Sequence, residues 1–206
     1  MNRNLHSRHT LSIQQLGIIP TLAALLLLAL HNLPEAVFQQ LNFQRDLIFN
    51  GELWRLVTAN FIHSNYWHLL LNLAGFSVLW LLHHIHFNAW RYIALLLAAS
   101  LLSSSLILFF VPELDHYIGL SGSLHAMVLL GALYDIKAKM MTGWLLLLLT
   151  LGKVTYEQWY GPDVELAQLI AAKVAIDAHL YGAISGILLF VLLQLWRFAQ
   201  QKRQVR

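Results

Sequence analysis

Residues 119–137 read GLSGSLHAMVLLGALYDIK, a stretch that joins a polar entrance to an apolar run and ends on a lysine. Between Ala126 and Leu133 the side chains are apolar or absent, as in a segment that crosses a bilayer. Ser121 lies at the start of this run, where a polar group is costly and usually marks a function. The stretch therefore predicts a membrane helix over 121–136 with a reactive serine at its outer end.

The composition of the whole chain is that of a polytopic helical membrane protein. Of its 206 residues, 58% are hydrophobic and 11% are charged, whereas a soluble domain carries roughly a quarter charged residues. Cysteine is absent, which excludes disulfides, thiolate catalysis and cysteine metal sites. No polar linker separates the apolar runs, so a single membrane domain is predicted over residues 1–206. No basic stripe alternates with aromatic residues, so no nucleic-acid partner is expected.

Six apolar runs are interpreted as membrane spans, which predicts an all-α fold, a six-transmembrane-helix bundle. Their predicted bounds are Ile13–Leu30, Tyr66–Leu82, Tyr92–Val111, Ser121–Ile136, Met141–Val154 and Ile176–Trp196. The first run follows a basic N-terminus but lacks an Ala-x-Ala-type cleavage site, so an uncleaved helix is expected. The fifth run is the shortest, with about 14 residues against the roughly 20 that a span needs.

The distribution of charge predicts that both termini are cytoplasmic. Six spans put both termini on one side, and nine of the thirteen basic residues fall there. These are Arg3, Arg8, Arg91, Lys137, Lys139, Arg197, Lys202, Arg203 and Arg206. All acidic residues except Asp135 fall on the other side, so the positive-inside rule sets the orientation. The long connections 31–65 and 155–175 then face outward and are long enough to cover a site.

Polar side chains from three different spans fall at one depth. Helical rise places Ser121, His179 and His68 about 24, 27 and 22 Å from the cytoplasmic ends of their helices. In a hydrocarbon slab about 30 Å thick, all three lie a few ångström below the outer surface. Asn72 follows His68 by four residues and shares its helix face. Both side chains can donate toward a point in front of Ser121, as a developing oxyanion requires.

Small residues flank the two most reactive positions. Gly119 and Gly122 let the backbone approach a substrate chain closely. Gly182 and Gly186 form a small-residue face that predicts tight packing of the sixth span on the fourth. A lone Gly-x-Ser-Gly string, a lone glycine pair or a lone intramembrane histidine often has only a structural role. The ordered combination of these motifs with His68 and Asn72 is what predicts a serine hydrolase.

The ordered motifs resemble the rhomboid family of intramembrane serine proteases, over nearly the whole chain. The resemblance rests on Trp54-Arg55, on His63 and His68 with Asn72, and on the stretches 119–122 and 178–186. It implies that Ser121 is the nucleophile and His179 the general base, a dyad without a third carboxylate.

The resemblance also assigns supporting roles. His68, Asn72 and the Ser121 amide would form the oxyanion hole, with Gly119 beside it. His63 would lie near these groups, and Trp54-Arg55 would belong to a structural loop at the membrane surface. From their positions on the helices, His125 and Gly182 are expected to lie behind Ser121 and His179. Neither a cofactor nor a metal is expected.

A finer resemblance is to the rhombosortase branch, through residues 119–125 and 152–158. That branch is associated with substrates anchored by a C-terminal tag of a glycine pair, a hydrophobic span and a basic end. It implies a multi-pass protein of the bacterial inner membrane whose site opens toward the periplasm and whose partners are such substrates and the lipid bilayer. Ala126 departs from the branch, where glycine is often expected. Hydrolysis and transfer to an acceptor amine both stay open, as does the oligomeric state.

Several polar residues near the site have more than one interpretation. His125, one turn after Ser121, competes with His179 as the base, but its side chain tilts toward its own helix N-terminus, which favours a supporting role. Ser123 is interpreted as packing. Glu157 either pairs with Lys153 in the outer loop or contacts substrate.

Two further groups are assigned no catalytic role. Asp177, two residues before His179, points elsewhere on the helix and is not expected to be a triad acid. His83, His84 and His86 are interpreted as a solvated interface at the cytoplasmic end of the second span, where such a cluster can bind metal ions adventitiously.

Three alternative functions compete with the tag-specific protease. One is a rhomboid with other transmembrane substrates, and a second is a non-catalytic rhomboid-like protein that binds membrane clients. The third is a membrane metalloenzyme that uses the eleven histidines, although no His-Glu-x-x-His motif is present.

Overall fold

The computed structural model describes residues 13–204, which are mostly helical. The helices are α1 (Ile13–His31), α2 (Glu35–Leu41), α3 (Arg45–Phe49), α4 (Arg55–Thr58), α5 (Tyr66–His83), α6 (Ala89–Phe110), α7 (Ser121–Lys137), α8 (Met141–Tyr160), α9 (Val164–Leu169) and α10 (Ile176–Gln204). A single 3-10 turn, Ala59–Phe61, follows α4 within the described residues.

The six predicted apolar runs coincide with α1, α5, α6, α7, α8 and α10, and local capping sets several of their ends. Asn65 caps α5 by accepting from the His68 amide, and Asn88 caps α6 by accepting from the Arg91 amide. Two helices continue well past their predicted ends: α10 extends from Trp196 to Gln204, and α8 extends from Val154 to Tyr160. Residues predicted to start an outer loop are therefore helical.

Two of these helices are long and apolar enough to span a bilayer, Ala89–Phe110 and Ile176–Gln204. Leu16–His31 and Glu35–Leu41 would make a third span if this pair, bent by 115°, counts as one. The described residues thus contain two to three such spans, whereas six are predicted. His68, Asn72 and His83 lower the hydropathy of α5. The six-span count and the orientation stay predictions, and Arg3, Arg8 and Arg206 lie outside the described residues.

Helix α7 is the centre of the bundle and packs backbone to backbone against α10. A Cβ atom added at Gly182 would overlap the Gly122 carbonyl oxygen, and one at Gly186 would overlap the Ala126 carbonyl oxygen. Such contacts leave no room for a side chain between the two helices. The tight packing predicted from the glycine pair is therefore present, and it fixes where the first turns of α7 and α10 meet.

The loop before α5 is held together by a buried arginine. Arg55 is 3% exposed, and its guanidinium donates to the carbonyls of Gln39 and Asn42 and to the Glu52 carboxylate. Trp54 stays half exposed and donates its indole N–H to the Gln40 carbonyl. This pair therefore organises the loop that precedes the site, as a structural loop requires.

A short antiparallel ladder joins this loop to the segment before α7. Strand β1 (Phe43–Gln44) pairs with β2 (His116–Tyr117), with Phe43 opposite Tyr117. The mostly helical fold therefore includes one short ladder that the sequence did not predict. The ladder forms because two extended loop residues on each side satisfy their backbone groups with one another.

The interpretation of His83, His84 and His86 as a solvated interface is wrong for His83. Its ring is fully buried and lies against α7 at Gly131, where an added Cβ atom would overlap it. Beside it, His86 Nε2 lies 2.5 Å from Asp135, and the Thr142 hydroxyl donates to the same carboxylate at 2.7 Å. The absence of a side chain at Gly131 lets the imidazole enter the helix interface.

Candidate active site

Ser121 and His179 meet at one end of the α7–α10 interface, where both helices begin. Ser121 is the first residue of α7, and His179 lies in the first turn of α10. The Nε2 atom of His179 is 3.0 Å from the Ser121 hydroxyl oxygen, a hydrogen-bond distance. His179 is 4% exposed, so its ring is held by packing. The first turns of two tightly packed helices thus place a hydroxyl and an imidazole in contact.

The other nitrogen of His179 contacts a carboxylate. Its Nδ1 atom lies 2.8 Å from Glu157 Oε2, and an ionised carboxylate only accepts hydrogen bonds. The Nδ1 atom therefore carries the proton, and in the neutral ring Nε2 presents its lone pair to Ser121. This tautomer is the one a general base needs.

Glu157 is the residue of the candidate site whose position the sequence interpretation missed. The resemblance implies no third carboxylate, yet Glu157 touches both His179 and Lys153, whose ammonium is 2.5 Å from Oε1. The predicted ion pair between Lys153 and Glu157 is present. The contact with His179 was missed because the predicted fifth span ended at Val154, which placed Glu157 in a loop. The four-residue spacing of an opposite-charge pair is itself a signal that the helix continues.

His125 supports His179 without contacting the serine hydroxyl. The two imidazole rings stack with centroids 4.1 Å apart and planes 19° apart. His125 Nδ1 lies 2.7 Å from the Ser121 backbone carbonyl oxygen, to which it donates. That bond commits one nitrogen to the backbone of its own helix.

The same three side chains bring metal-ligating atoms close together, but their geometry fits a hydrogen-bonded cluster better than a metal site. Ligand atoms of His125, Glu157 and His179 all lie within 4.8 Å of one another. A histidine nitrogen binds a metal along a lone pair in the plane of its ring. Since the two rings are stacked nearly parallel, their lone pairs do not converge on one ion.

His68, Asn72 and Gly119 form the opposite wall of the site. Gly119 has φ +110°, and a Cβ atom there would lie 2.5 Å from His68 Nε2 and 3.5 Å from Asn72 Nδ2. Glycine is therefore required on both conformational and steric grounds. The Asn72 Nδ2 atom is buried and has no hydrogen-bond partner within residues 13–204. It is a donor available to a bound group.

The hydrogen bonds of His68 assign its proton. The Ser64 hydroxyl donates to the Ile170 carbonyl at 2.5 Å, so its single proton is used there. Ser64 then accepts from His68 Nδ1, 3.0 Å away. A neutral His68 therefore carries a lone pair on Nε2, toward Gly119, and donates there only when protonated.

His63 lies behind His68 rather than at the reacting atoms. It is 1% exposed, and its ring packs edge-on against His68 with centroids 5.0 Å apart. Burial, helped by the neighbouring His68, lowers the pKa of His63 to about 3. His63 is therefore neutral, and it holds the His68 ring by packing.

A buried polar network that the sequence did not reveal fixes the start of α7. Asn60 accepts from Ser123 at 2.8 Å and from Tyr117 at 2.7 Å, and it donates to Ser104 at 3.0 Å. Ser123 was predicted to serve only packing, whereas its buried hydroxyl is hydrogen-bonded. No local pattern identifies Asn60, because its partners come from three distant segments.

A cavity of about 390 Å³ opens beside Ser121 and His68. Ile118 lines one side, and residues 172–177, which include Asp177, line another. It is large enough to admit water and a short length of extended chain. Asp177 faces this cavity and makes no hydrogen bond to His179.

Comparison with known protein families agrees with this architecture. The rhomboid domain matches residues 50–196, which include each of the residues placed in the site above. The chain belongs to the rhomboid family, whose members are in general intramembrane serine proteases. No curated protein matches the chain.

Proposed function

We propose that this chain is an intramembrane serine endopeptidase in which Ser121 is the nucleophile and His179 the general base. The observation that carries the proposal is the 3.0 Å contact between His179 Nε2 and the Ser121 hydroxyl, together with the tautomer that Glu157 imposes. An uncharged serine hydroxyl is a weak nucleophile, and an adjacent base activates it.

The reaction proceeds through an acyl-enzyme. His179 takes the hydroxyl proton as Ser121 Oγ attacks the scissile carbonyl, and the resulting imidazolium returns that proton to the leaving amine. The Ser121 amide is free because it opens α7, and Asn72 Nδ2 is an unpaired donor beside it. These groups stabilise the oxyanion. Water from the cavity then releases the acyl product.

We extend the proposal to six spans with both termini cytoplasmic, in the inner membrane of a bacterium, with the site opening toward the periplasm. The charge distribution supports this orientation. A substrate whose basic C-terminal end lies in the cytoplasm would then present the outer end of its span to Ser121.

The substrate class we propose is a membrane-anchored protein with a C-terminal glycine pair, a hydrophobic span and a basic tail. The resemblance of residues 119–125 and 152–158 to the rhombosortase branch supports it. A glycine next to the scissile bond also leaves the carbonyl less shielded by side chains, which suits a site walled by His68, Asn72 and Gly119.

Co-expression with a reporter that carries this tag tests the proposal. Intact mass spectrometry with wild type is expected to show cleavage beside the glycine pair, and Ser121→Ala is expected to leave the reporter intact. An added mass on the product would identify transfer to an amine instead of hydrolysis. Cleavage by purified Ser121→Ala at the wild-type rate would rule out the mechanism, and cleavage only of tagless transmembrane reporters would rule out the tag preference.

A further inference from the structure

We infer that Glu157 is the third member of a catalytic triad, a positioning residue that acts on Ser121 through His179. The inference rests on the proposed function and goes beyond the dyad that the family resemblance implies. The three side chains come from α7, α8 and α10, three long helices of one bundle. Rigid elements hold such a group more accurately than loops do.

Both oxygens of the Glu157 carboxylate are engaged, and each has a different partner. Oε2 is 2.8 Å from His179 Nδ1, and Oε1 is 2.5 Å from Lys153 Nζ. Glu157 is 7% exposed, whereas the Lys153 side chain is 48% exposed. The ammonium reaches the carboxylate from the outside and keeps it ionised and oriented, while the other oxygen faces inward to the base.

This arrangement assigns Glu157 two effects on the reaction. In the ground state it holds the proton on Nδ1, so the Nε2 lone pair faces Ser121. When the Ser121 proton moves to Nε2, the ring becomes an imidazolium, and the adjacent negative charge stabilises it. Glu157 stays ionised throughout, so the proton lost by Ser121 resides on His179 until the leaving amine takes it.

A purely structural ion pair between Lys153 and Glu157 makes a different prediction from a triad. If the pair only anchors the end of α8, then removing either partner has the same effect. If Glu157 orients His179, then removing the carboxylate charge is far more damaging than removing the ammonium. Lys153 Nζ lies 3.4 Å from His179 Nδ1, farther than the carboxylate, so its own contact with the ring is secondary.

The decisive variant is Glu157→Gln, because the remaining Lys153 dictates how the new amide is oriented. The ammonium only donates, so it selects the amide oxygen and turns the NH₂ group toward His179. The imidazole must then accept at Nδ1 and carry its proton on Nε2, where it cannot take the Ser121 proton. The double variant Lys153→Met with Glu157→Gln frees the amide to rotate and to accept from Nδ1–H again.

The experiment compares these variants in detergent, using the rate of labelling by a fluorophosphonate probe and kcat and KM for the tagged reporter. Glu157→Gln is expected to lower kcat and the labelling rate by about 10²- to 10⁴-fold with an unchanged KM. Lys153→Met is expected to lower them by about tenfold or less, and the double variant to recover about tenfold over Glu157→Gln alone. Glu165→Gln, the same change at an exposed position of α9, is the matched control and is expected to match wild type.

Equal losses in Glu157→Gln and Lys153→Met, or no recovery in the double variant, would overturn the triad. Wild type that neither labels nor cleaves would instead refute the proposed protease, so the two failures are distinct. If Glu157→Gln does not fold, nitrogen NMR of ¹⁵N-histidine in the Ser121→Ala protein still tests the inference. A His179 ring protonated on Nδ1 is expected, and one protonated on Nε2 would overturn it.

Discussion

At the scale of single residues, Asn72 is the proposed oxyanion donor whose contribution is easiest to isolate. Its Nδ2 atom is buried without a partner in the described structure, whereas neutral His68 presents a lone pair at Nε2 because Ser64 occupies its Nδ1 proton. A buried donor without a partner destabilises the resting protein. This cost is offset only when the donor forms a hydrogen bond with the oxyanion. In the proposed reaction, Asn72 therefore stabilises the transition state and not the ground state.

We expect Asn72→Ala to lower kcat by about 10²- to 10³-fold with little change in KM, the loss typical of one oxyanion donor. His68→Ala is expected to lower kcat less, since its Nε2 donates only after the ring is protonated. Steady-state kinetics on the tagged reporter measures both. A larger loss in His68→Ala than in Asn72→Ala would show that His68 is the principal donor and that its tautomer assignment is wrong.

The residues of the site differ in how far the sequence could predict them. Ser121, His179 and His68 were predicted to lie together because helical rise alone sets their depth. The sequence gives Glu157 no place beside His179, because the predicted fifth span ends at Val154 whereas α8 continues to Tyr160. Asn60 could not be found at all, because its hydrogen bonds join loop, α6 and α7 only after the chain has folded.

At the scale of helices, the α7–α10 interface sets the distance between Ser121 and His179, the proposed nucleophile and base. An added Cβ atom at Gly186 would overlap the Ala126 carbonyl oxygen, a backbone atom that cannot rotate away. The helices must separate to accept it, and His179 lies two turns away on α10. Stability and catalysis are therefore coupled through this contact.

Gly186→Ala is accordingly expected to destabilise the fold by about 1–3 kcal/mol, the range for an overpacked core, and to lower kcat as well. Unfolding in detergent, followed by circular dichroism, gives the stability. The matched control is Gly152→Ala on α8, where an added Cβ atom meets nothing within 4 Å and the gain in helix propensity is about 1 kcal/mol. Equal stability of the two variants would show that the helix contact is looser than described.

The elements themselves were largely predictable, because apolar runs of this length have few alternatives to a helix. Sequence could also place the glycine-mediated contact, since Gly182 and Gly186 share one face. The β1–β2 ladder was not predicted, since two-residue strands leave no periodic pattern. The burial of His83 was not predicted for a related reason. The space that its ring fills is left by the missing side chain of Gly131, which lies on another helix.

At the scale of the whole molecule, the outer faces of the helices are suited to lipid. Leucine side chains stay exposed along α8 and α10, among them Leu145, Leu148, Leu149, Leu192 and Leu195. Contact with lipid chains suits such apolar faces, whereas exposing them to water costs free energy. Length and hydropathy qualify two to three helices as spans, so the number of crossings and their direction rest on the charge pattern and need a direct test.

Labelling of an introduced cysteine provides that test. The sequence contains no cysteine, so a maleimide reacts with this protein at the introduced thiol. We expect Glu165→Cys, in α9 of the outer connection, to react with a membrane-impermeant maleimide in spheroplasts. Ala138→Cys, between α7 and α8, and Gln201→Cys, near the end of α10, are expected to react only after lysis. All three positions are exposed on the protein surface. A position that is not labelled before lysis is therefore shielded by the membrane and not by burial within the protein. The reverse pattern would place Ser121 near the cytoplasmic surface, where a substrate with a cytoplasmic basic tail would present the wrong end of its span.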